Sequence, residues 1–428
     1  MLCLPVCSAK GQWTPFLDAL FTATTSVCVT GLVVVDTYAH WSFFGQLVIL
    51  VLVQCGGLGI ISLTTGVMLL IGRKVTLKDR LLLEDAFNLN TLTGLVRFLK
   101  RVIKGTFLVE AIGAVCYMFV FVPRFGVKGV WISIFHAVSG FCNAGMDLIG
   151  SVSLSEYVGN VPINLITMGL ILVAGIGYIV WWDIGRILQM VRHREIRPRQ
   201  SWNRLTLHSK IVLVTTVLLL LAGCLVVLGV EYNNPETLGP LTFPEKVMAA
   251  MFQSVTCRTA GFFTVSQTGL KDASALFCML LMFVGGSPVG TAGGIKTTTV
   301  ALLAIAAISQ IRGREQAAAF GRSISVQNIR KALAVTLIST LAALTAIMLL
   351  LCFQEGSFVD IAYEVFSAVG TVGLTRNLTP SLGVPGRIVI IICMYLGRVG
   401  PISMAIAFGY KKGKTGRIEY PSEEVTVG

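Results

Sequence analysis

Residues 16–32 read FLDALFTATTSVCVTGL, and the chain returns to that pattern three more times. The other copies are ISIFHAVSGFCNAGMDL (132–148), VMAAMFQSVTCRTAGFF (247–263) and AYEVFSAVGTVGLT (362–375). Each is a half-length amphipathic run entering a turn of small residues that ends in glycine. The terminal tripeptides are Val29-Thr30-Gly31, Asn143-Ala144-Gly145, Thr259-Ala260-Gly261 and Thr371-Val372-Gly373. Their glycines are spaced 114, 116 and 112 residues apart, a regularity that marks an internal repeat.

The half-length helices are too short to cross a bilayer. About ten helical residues cover about 15 Å, half of a hydrocarbon core about 30 Å thick. Backbone in the following turn would be unpaired at membrane depth, which is tolerated only when it is buried in protein or lines a water-filled path. Four such turns around one axis predict a ring of carbonyl oxygens, the device that replaces the hydration shell of a potassium ion. Glycine-capped connecting helices are the alternative. Four copies, each flanked by long apolar spans, argue against it.

Composition agrees with lipid as the solvent. Of 428 residues, 54% are hydrophobic and 13% charged, with mean hydropathy +0.80, against roughly a quarter charged in soluble domains. Seven apolar windows are candidate spans: 43–71, 102–122, 162–184, 209–230, 272–309, 330–353 and 386–409. Of the 34 Lys and Arg residues, 24 fall in 72–104, 186–210, 312–331 and the tail Lys411, Lys412, Lys414 and Arg417. These segments share one side if every repeat goes out and comes back, and that side is cytoplasmic by the positive-inside rule. The net charge of +13 is thus a topology signal and does not indicate nucleic acid.

A glycine break follows each turn glycine by 24–30 residues: GGLG (56–59), GIG (175–177), GGSPVG (285–290) and GRVG (397–400). We read 56–59 and 175–177 as close helix crossings. The stretch FVGGSPVGTAGGIKTTT (283–299) differs, with five glycines and a proline inside an otherwise spanning window. We read Gly285, Gly286, Ser287, Pro288, Gly290, Gly293 and Gly294 as a buried gating segment beneath the turns. Arg398 lies in the fourth break. It is expected to repel cations or hold the segment closed; merely satisfying orphan carbonyls is the alternative. Lys296 is balanced between function and snorkelling to the inner surface. Glu110 is expected to pair with a basic group, and Asp183 to sit at the interface.

No residues suggest catalysis. The eleven cysteines show no CxxC pattern, and a Cys3–Cys7 disulfide is open. His40, His136, His193 and His208 are expected in loops or near ends. An enzyme would need paired carboxylates or an activated nucleophile at one depth, and Glu110 and Asp183 are isolated.

The stretches SVCVTGLVVVDT (26–37), FCNAGMDL (141–148), TCRTAGF (256–262), VGTVGLT (369–375) and the glycine-rich segment 285–299 resemble the Trk/Ktr/HKT superfamily of potassium transporters, most of all its KtrB branch. The tail IEYPSEEVTVG (418–428) is similar as well. The resemblance implies an all-α polytopic membrane protein of four helix–pore-loop–helix repeats around a central ion path. It implies K⁺ coordination by carbonyls near Gly31, Gly145, Gly261 and Gly373, a gate of 285–294 faced by Arg398, and K⁺ as substrate with Na⁺ as a second cation to test. It further implies a homodimer in the bacterial inner membrane, bound to membrane lipid and to a cytosolic ring of nucleotide-binding RCK subunits (KtrA-like), with no cofactor held by this chain. A non-transporting scaffold or sensor is the alternative, though it would be free to lose the four glycines.

The repeats divide the chain into 1–71, 72–190, 191–309 and 310–428, the last carrying the cytoplasmic tail. Only 30 residues precede Gly31, so the first helix of repeat one is expected to be largely missing. We expect the native product to begin some tens of residues upstream, which mass spectrometry of the native protein tests.

Overall fold

The computed structural model describes residues 1–59, 65, 95–150, 152–314 and 316–400. The inner end of the first apolar window, most of the basic segment 72–104 and the tail from 401 lie outside the described residues.

Among the described residues, thirteen helices of 12 residues or more form the frame. Repeat one holds α1 (Phe16–Cys28) and α2 (Phe43–Leu58); repeat two holds α3 (Leu95–Phe125), α4 (Lys128–Cys142), α5 (Val161–Gly175) and α6 (Tyr178–Arg192). Repeat three holds α7 (Leu207–Glu231), α8 (Phe243–Thr256), α9 (Asp272–Phe283) and α10 (Thr297–Ile311); repeat four holds α11 (Val326–Phe353), α12 (Phe358–Gly370) and α13 (Val384–Val399). A short hairpin, β1 (Ala318–Ala319) with β2 (Arg322–Ser323), joins α10 to α11.

Local signals start these helices where short polar side chains meet apolar runs. Ser42, Asn160, Thr206, Ser325 and Ser357 each accept a backbone N–H from the first turn of α2, α5, α7, α11 and α12. Thr242 and Glu245 form a reciprocal capping box at α8. The long helices α3, α7 and α11 then bury only 33%, 33% and 28% of their most apolar windows. Their outward faces, including Leu218, Leu225, Leu337, Leu344 and Met348, are exposed. A face that apolar belongs in hydrocarbon.

Each half-length helix packs against the broken helix of the preceding repeat: α4 on α2, α8 on α5, α12 on α9, and α1 on α13. The last contact closes the circle. Arg387 of α13 donates to Asp18 of α1 across that seam, and both are largely buried. The fourfold order predicted from the glycine spacing is therefore realised as a closed bundle.

Two expectations change. Residues 175–177 are a sharp bend, with α5 and α6 meeting at 94°, in place of the expected helix crossing. His136 sits in the middle of α4 and is fully buried among Tyr117, Phe121 and Phe262. Its Nδ1 lies 3.0 Å from the Ile132 carbonyl oxygen, which makes it a packed core histidine. Cys3 and Cys7 are both free thiols.

Candidate functional site

The four turn glycines meet in a closed ring. A side chain at Gly31 would collide with the carbonyl oxygen of Ala144, one at Gly145 with that of Ala260, one at Gly261 with that of Val372, and one at Gly373 with that of Thr30. Every approach is well inside the 3.0 Å that real Cβ atoms respect. All four glycines also have positive φ, at +94°, +64°, +85° and +93°, where a Cβ is disfavoured. Glycine is therefore required twice over, by conformation and by the neighbouring repeat.

The residues two before each glycine carry the strain. Val29, Asn143, Thr259 and Thr371 have φ of 55°, 60°, 72° and 51°, and left-handed backbone is a true outlier for β-branched residues. In three repeats this residue ends the half-length helix in a Schellman turn. Thr30, Ala144 and Val372 donate N–H groups to the carbonyls of Thr25, Ser139 and Ser367 at 2.8–2.9 Å, while Val29, Asn143 and Thr371 donate three residues back. Left-handed geometry alternates along each tripeptide, which bends the chain back from the helix axis. Such strain persists only where surrounding structure dictates it, typically at functional sites.

Hydroxyls five or six residues before each glycine pin the turns. Thr25 Oγ1 accepts from Gly31 N and Ser367 Oγ from Gly373 N, both at 3.0 Å. Ser139 Oγ donates to the Met146 carbonyl at 2.6 Å, and Thr256 Oγ1 donates to the Phe262 carbonyl. Sequence reasoning missed these four residues, although a hydroxyl recurs at that offset in every copy. It also missed Arg258, which is 5% exposed and whose Nε has no hydrogen-bond partner.

Beneath the ring, residues 284–296 interrupt α9 and α10. Gly285 N donates to the Ile295 carbonyl at 2.9 Å and Thr297 N to that of Gly286 at 3.0 Å, closing the base of a loop. Ser287 N donates to the Gly175 carbonyl and Tyr178 N to that of Val289, each at 2.9 Å. A Cβ at Gly177, where φ is +91°, would strike the Pro288 carbonyl oxygen. The α5–α6 bend is thus a seat for the loop. Thr291 Oγ1 donates to the Phe141 carbonyl at 3.1 Å, and Gly293 lies directly against Thr371 Oγ1.

Arg398 ties this loop to repeat one. Its Nη1 donates to the Thr291 carbonyl, and its Nη2 to the carbonyls of Gly56 and Gly57. With one guanidinium it bonds carbonyls of the first break and one of the loop, the contacts of the structural alternative. Lys296 folds back to donate to the Ala292 carbonyl at 2.7 Å and does not reach for the inner surface. Among the described residues Glu110 has no basic partner. It accepts from Gln54 Nε2 at 3.3 Å and lies 3.8 Å from Cys142 Sγ, against the expected ion pair. Asp183 pairs with Arg186 at 2.6 Å and accepts from Thr206 N at 2.8 Å, joining α6 to the start of α7. Among the described residues no group of three or more His, Cys, Asp or Glu is placed to hold a metal ion.

The arrangement brings together the turn residues of all four repeats and sets the glycine-rich segment and Arg398 to one side of them. A family model described as TrkH, cation transport protein, matches residues 4–416. The chain is 39% identical over 434 residues to the potassium/sodium uptake protein NtpJ of Enterococcus hirae, covering 100% of this chain and 93% of that one. It is 37% identical over 430 residues to the Ktr system potassium uptake protein B of Bacillus subtilis, with the same coverages of 100% and 93%. Among solved structures, the potassium transporter TrkH from Vibrio parahaemolyticus superposes with a TM-score of 0.70 over 93% of this chain and 79% of that chain, at 17% identity. That likeness concerns the fold. The family model spans nearly the whole chain and the two relatives span all of it, so this chain belongs to the TrkH family of cation transport proteins.

Proposed function

We propose that this chain is the potassium-translocating subunit of a Ktr-type uptake system, a multi-pass protein of the bacterial inner membrane. The observation that carries the reading is the closed ring, in which each turn glycine lies against a backbone carbonyl oxygen of the next repeat. Carbonyl oxygens held at fixed positions substitute for the hydration shell of a cation entering from outside. Strained turns and buried hydroxyl pins keep those oxygens from collapsing onto a smaller ion. The names of the relatives, a potassium/sodium uptake protein and a Ktr potassium uptake protein, support K⁺ as the cargo and make Na⁺ the second ion to test.

The loop 285–294 is the gate in this reading, and Arg398 is its latch. A guanidinium bonded to Thr291, Gly56 and Gly57 keeps a glycine-rich segment under the ring and adds a positive charge on the inner side of the path. Two such subunits form a dimer, and a cytosolic ring of nucleotide-binding RCK subunits pulls the loop aside; a Ktr system name in the relatives supports a partnered subunit.

The test is rubidium uptake into liposomes carrying the full-length gene product, with and without its RCK partner and with and without Na⁺. Uptake that prefers K⁺ and Rb⁺ over Na⁺ is expected. Absence of K⁺ or Rb⁺ flux from folded protein under all these conditions would overturn the reading.

A further inference from the structure

Behind the loop lies a cavity of about 40 Å³, set between the loop, α11, α12 and α13. Gly294 and Ile295 form its loop wall, Val335, Ile338 and Ala342 its α11 wall, and Gly397 part of its α13 wall. Among its lining residues only Ser339 carries a polar side chain. The loop turns at this point. Gly293 lies against Thr371 Oγ1 on the pathway side, and Gly294, at φ +65°, swings Ile295 to the cavity side. Gly294 N approaches the Gly397 carbonyl at 3.4 Å, next to the Arg398 latch.

An apolar cavity stays dry. This one has room for roughly three water-sized groups, enough for the end of a hydrocarbon chain and too little for a ring or a headgroup. Ile338 lines the cavity and is 42% exposed, so the mouth opens on the lipid-facing side of α11, beside the exposed Leu337 and Leu341. Lys331 marks the basic, inner end of α11. Val335 and Ala342 stand about 6 and 17 Å deeper at 1.5 Å per residue, within the inner half of a hydrocarbon core about 30 Å thick. Acyl chains of the inner leaflet fill that depth.

We propose that this cavity binds the end of an acyl chain from an inner-leaflet lipid, and that the bound chain holds the loop under the ring. The inference rests on the gate reading of 285–294. A loop that leaves the path must move into space behind it, and the cavity is such a space. An acyl end lodged there removes it and packs against Ile295. Without the chain, the closed loop leaves a void behind it. The cost of an unfilled cavity of this volume favours loop withdrawal about fivefold.

The test compares the full-length protein in liposomes of straight-chain and of methyl-branched phosphatidylcholine, whose chain ends are too wide for the cavity. A trace of straight-chain phosphatidylcholine with a diazirine on its terminal carbon reads occupancy, by photolabelling and peptide mass spectrometry. Wild type is expected to label at Ile295, Ile338 or Leu396, and to take up rubidium about fivefold faster in the branched lipid. Ala342→Phe fills the cavity with protein. It is expected to lose that label, to keep label on the outer residues Leu337 and Leu344, and to transport equally in both lipids. Ala342→Leu stands in if the Phe variant does not elute as monodisperse protein. Wild-type label confined to Leu337 and Leu344 would overturn the site. So would crosslinking of Ile338→Cys to a second copy, which would put protein over the mouth. Cavity label with uptake that ignores the lipid, or that responds equally in wild type and Ala342→Phe, would overturn the hold on the loop. The gate reading fails separately, on unchanged flux in Arg398→Ala, and the labelling still decides the cavity.

Discussion

Replacing Gly261 with alanine tests the ring at its most quantifiable contact. The new Cβ would stand 2.5 Å from the Val372 carbonyl oxygen and 3.0 Å from Gly145 Cα. Ordinary Cβ contacts begin at 3.4 Å, so the oxygen must retreat by the difference, about 0.9 Å. At φ +85° the alanine also costs roughly 1–2 kcal/mol of backbone strain, which a folded domain tolerates. Displacing one oxygen from a cation forfeits about 1.5–3 kcal/mol, the scale of a hydrogen bond to a charged group. That predicts a loss of K⁺ over Na⁺ preference of about tenfold or more. The assay is competitive uptake of rubidium and sodium tracers into liposomes, with monodisperse size-exclusion elution as the folding control. Gly169→Ala in α5 is the internal comparison, because nothing lies within 4 Å of a Cβ there. A folded Gly261→Ala protein that discriminates as well as Gly169→Ala would refute the claim that the ring sets selectivity.

Other outcomes follow from the same geometry. Serine at Gly31 or Gly373 should weaken K⁺ selectivity, since both positions have φ above +90° and abut a neighbouring carbonyl; complementation of a K⁺-uptake-deficient strain at low K⁺ by either variant would count against the filter. Arg398→Ala, or shortening of 285–294, should raise basal flux about tenfold or more by freeing the Thr291 carbonyl from a charge-assisted bond, and folded protein with unchanged or lower flux contradicts the latch. Thr25→Val should loosen the first turn by unpairing Gly31 N, lowering K⁺ over Na⁺ preference and costing about 1–3 kcal/mol of stability; thermal unfolding in detergent reads the stability and tracer competition the preference. Asp18→Asn should open the seam between α1 and α13 by removing the Arg387 ion pair, seen as a lower unfolding temperature, whereas an unchanged one shows that packing alone closes the bundle.

The sequence made the repeat legible because glycine is unambiguous where a Cβ has no room. The 112–116-residue spacing placed all four turns, and the composition of 283–299 marked an interrupted helix. Other features were hidden because ordinary residues carry them. Val29, Thr259 and Thr371 adopt left-handed backbone that their own propensities oppose, and only the neighbouring turns dictate it. Gly-Ile-Gly at 175–177 has the composition of a crossing helix. What makes it a bend is the loop from another repeat that docks there, which no local window contains. Glu110 suggested a basic partner because buried charge is costly, yet among the described residues Gln54 and a thiol supply its contacts. The sense of the ring, with each glycine facing the following repeat, had no counterpart in the sequence.

That sense gives the protein a genetic direction. Because Gly31 abuts Ala144, Gly145 abuts Ala260, Gly261 abuts Val372 and Gly373 abuts Thr30, damage at one turn is transmitted to the next repeat in chain order, and from the fourth back to the first. Second-site revertants of a glycine lesion should therefore cluster around the turn of the following repeat, about a quarter of the chain away in sequence. A reversion map that is one-handed in this way would record the ring's geometry in growing cells, where no structure is measured at all.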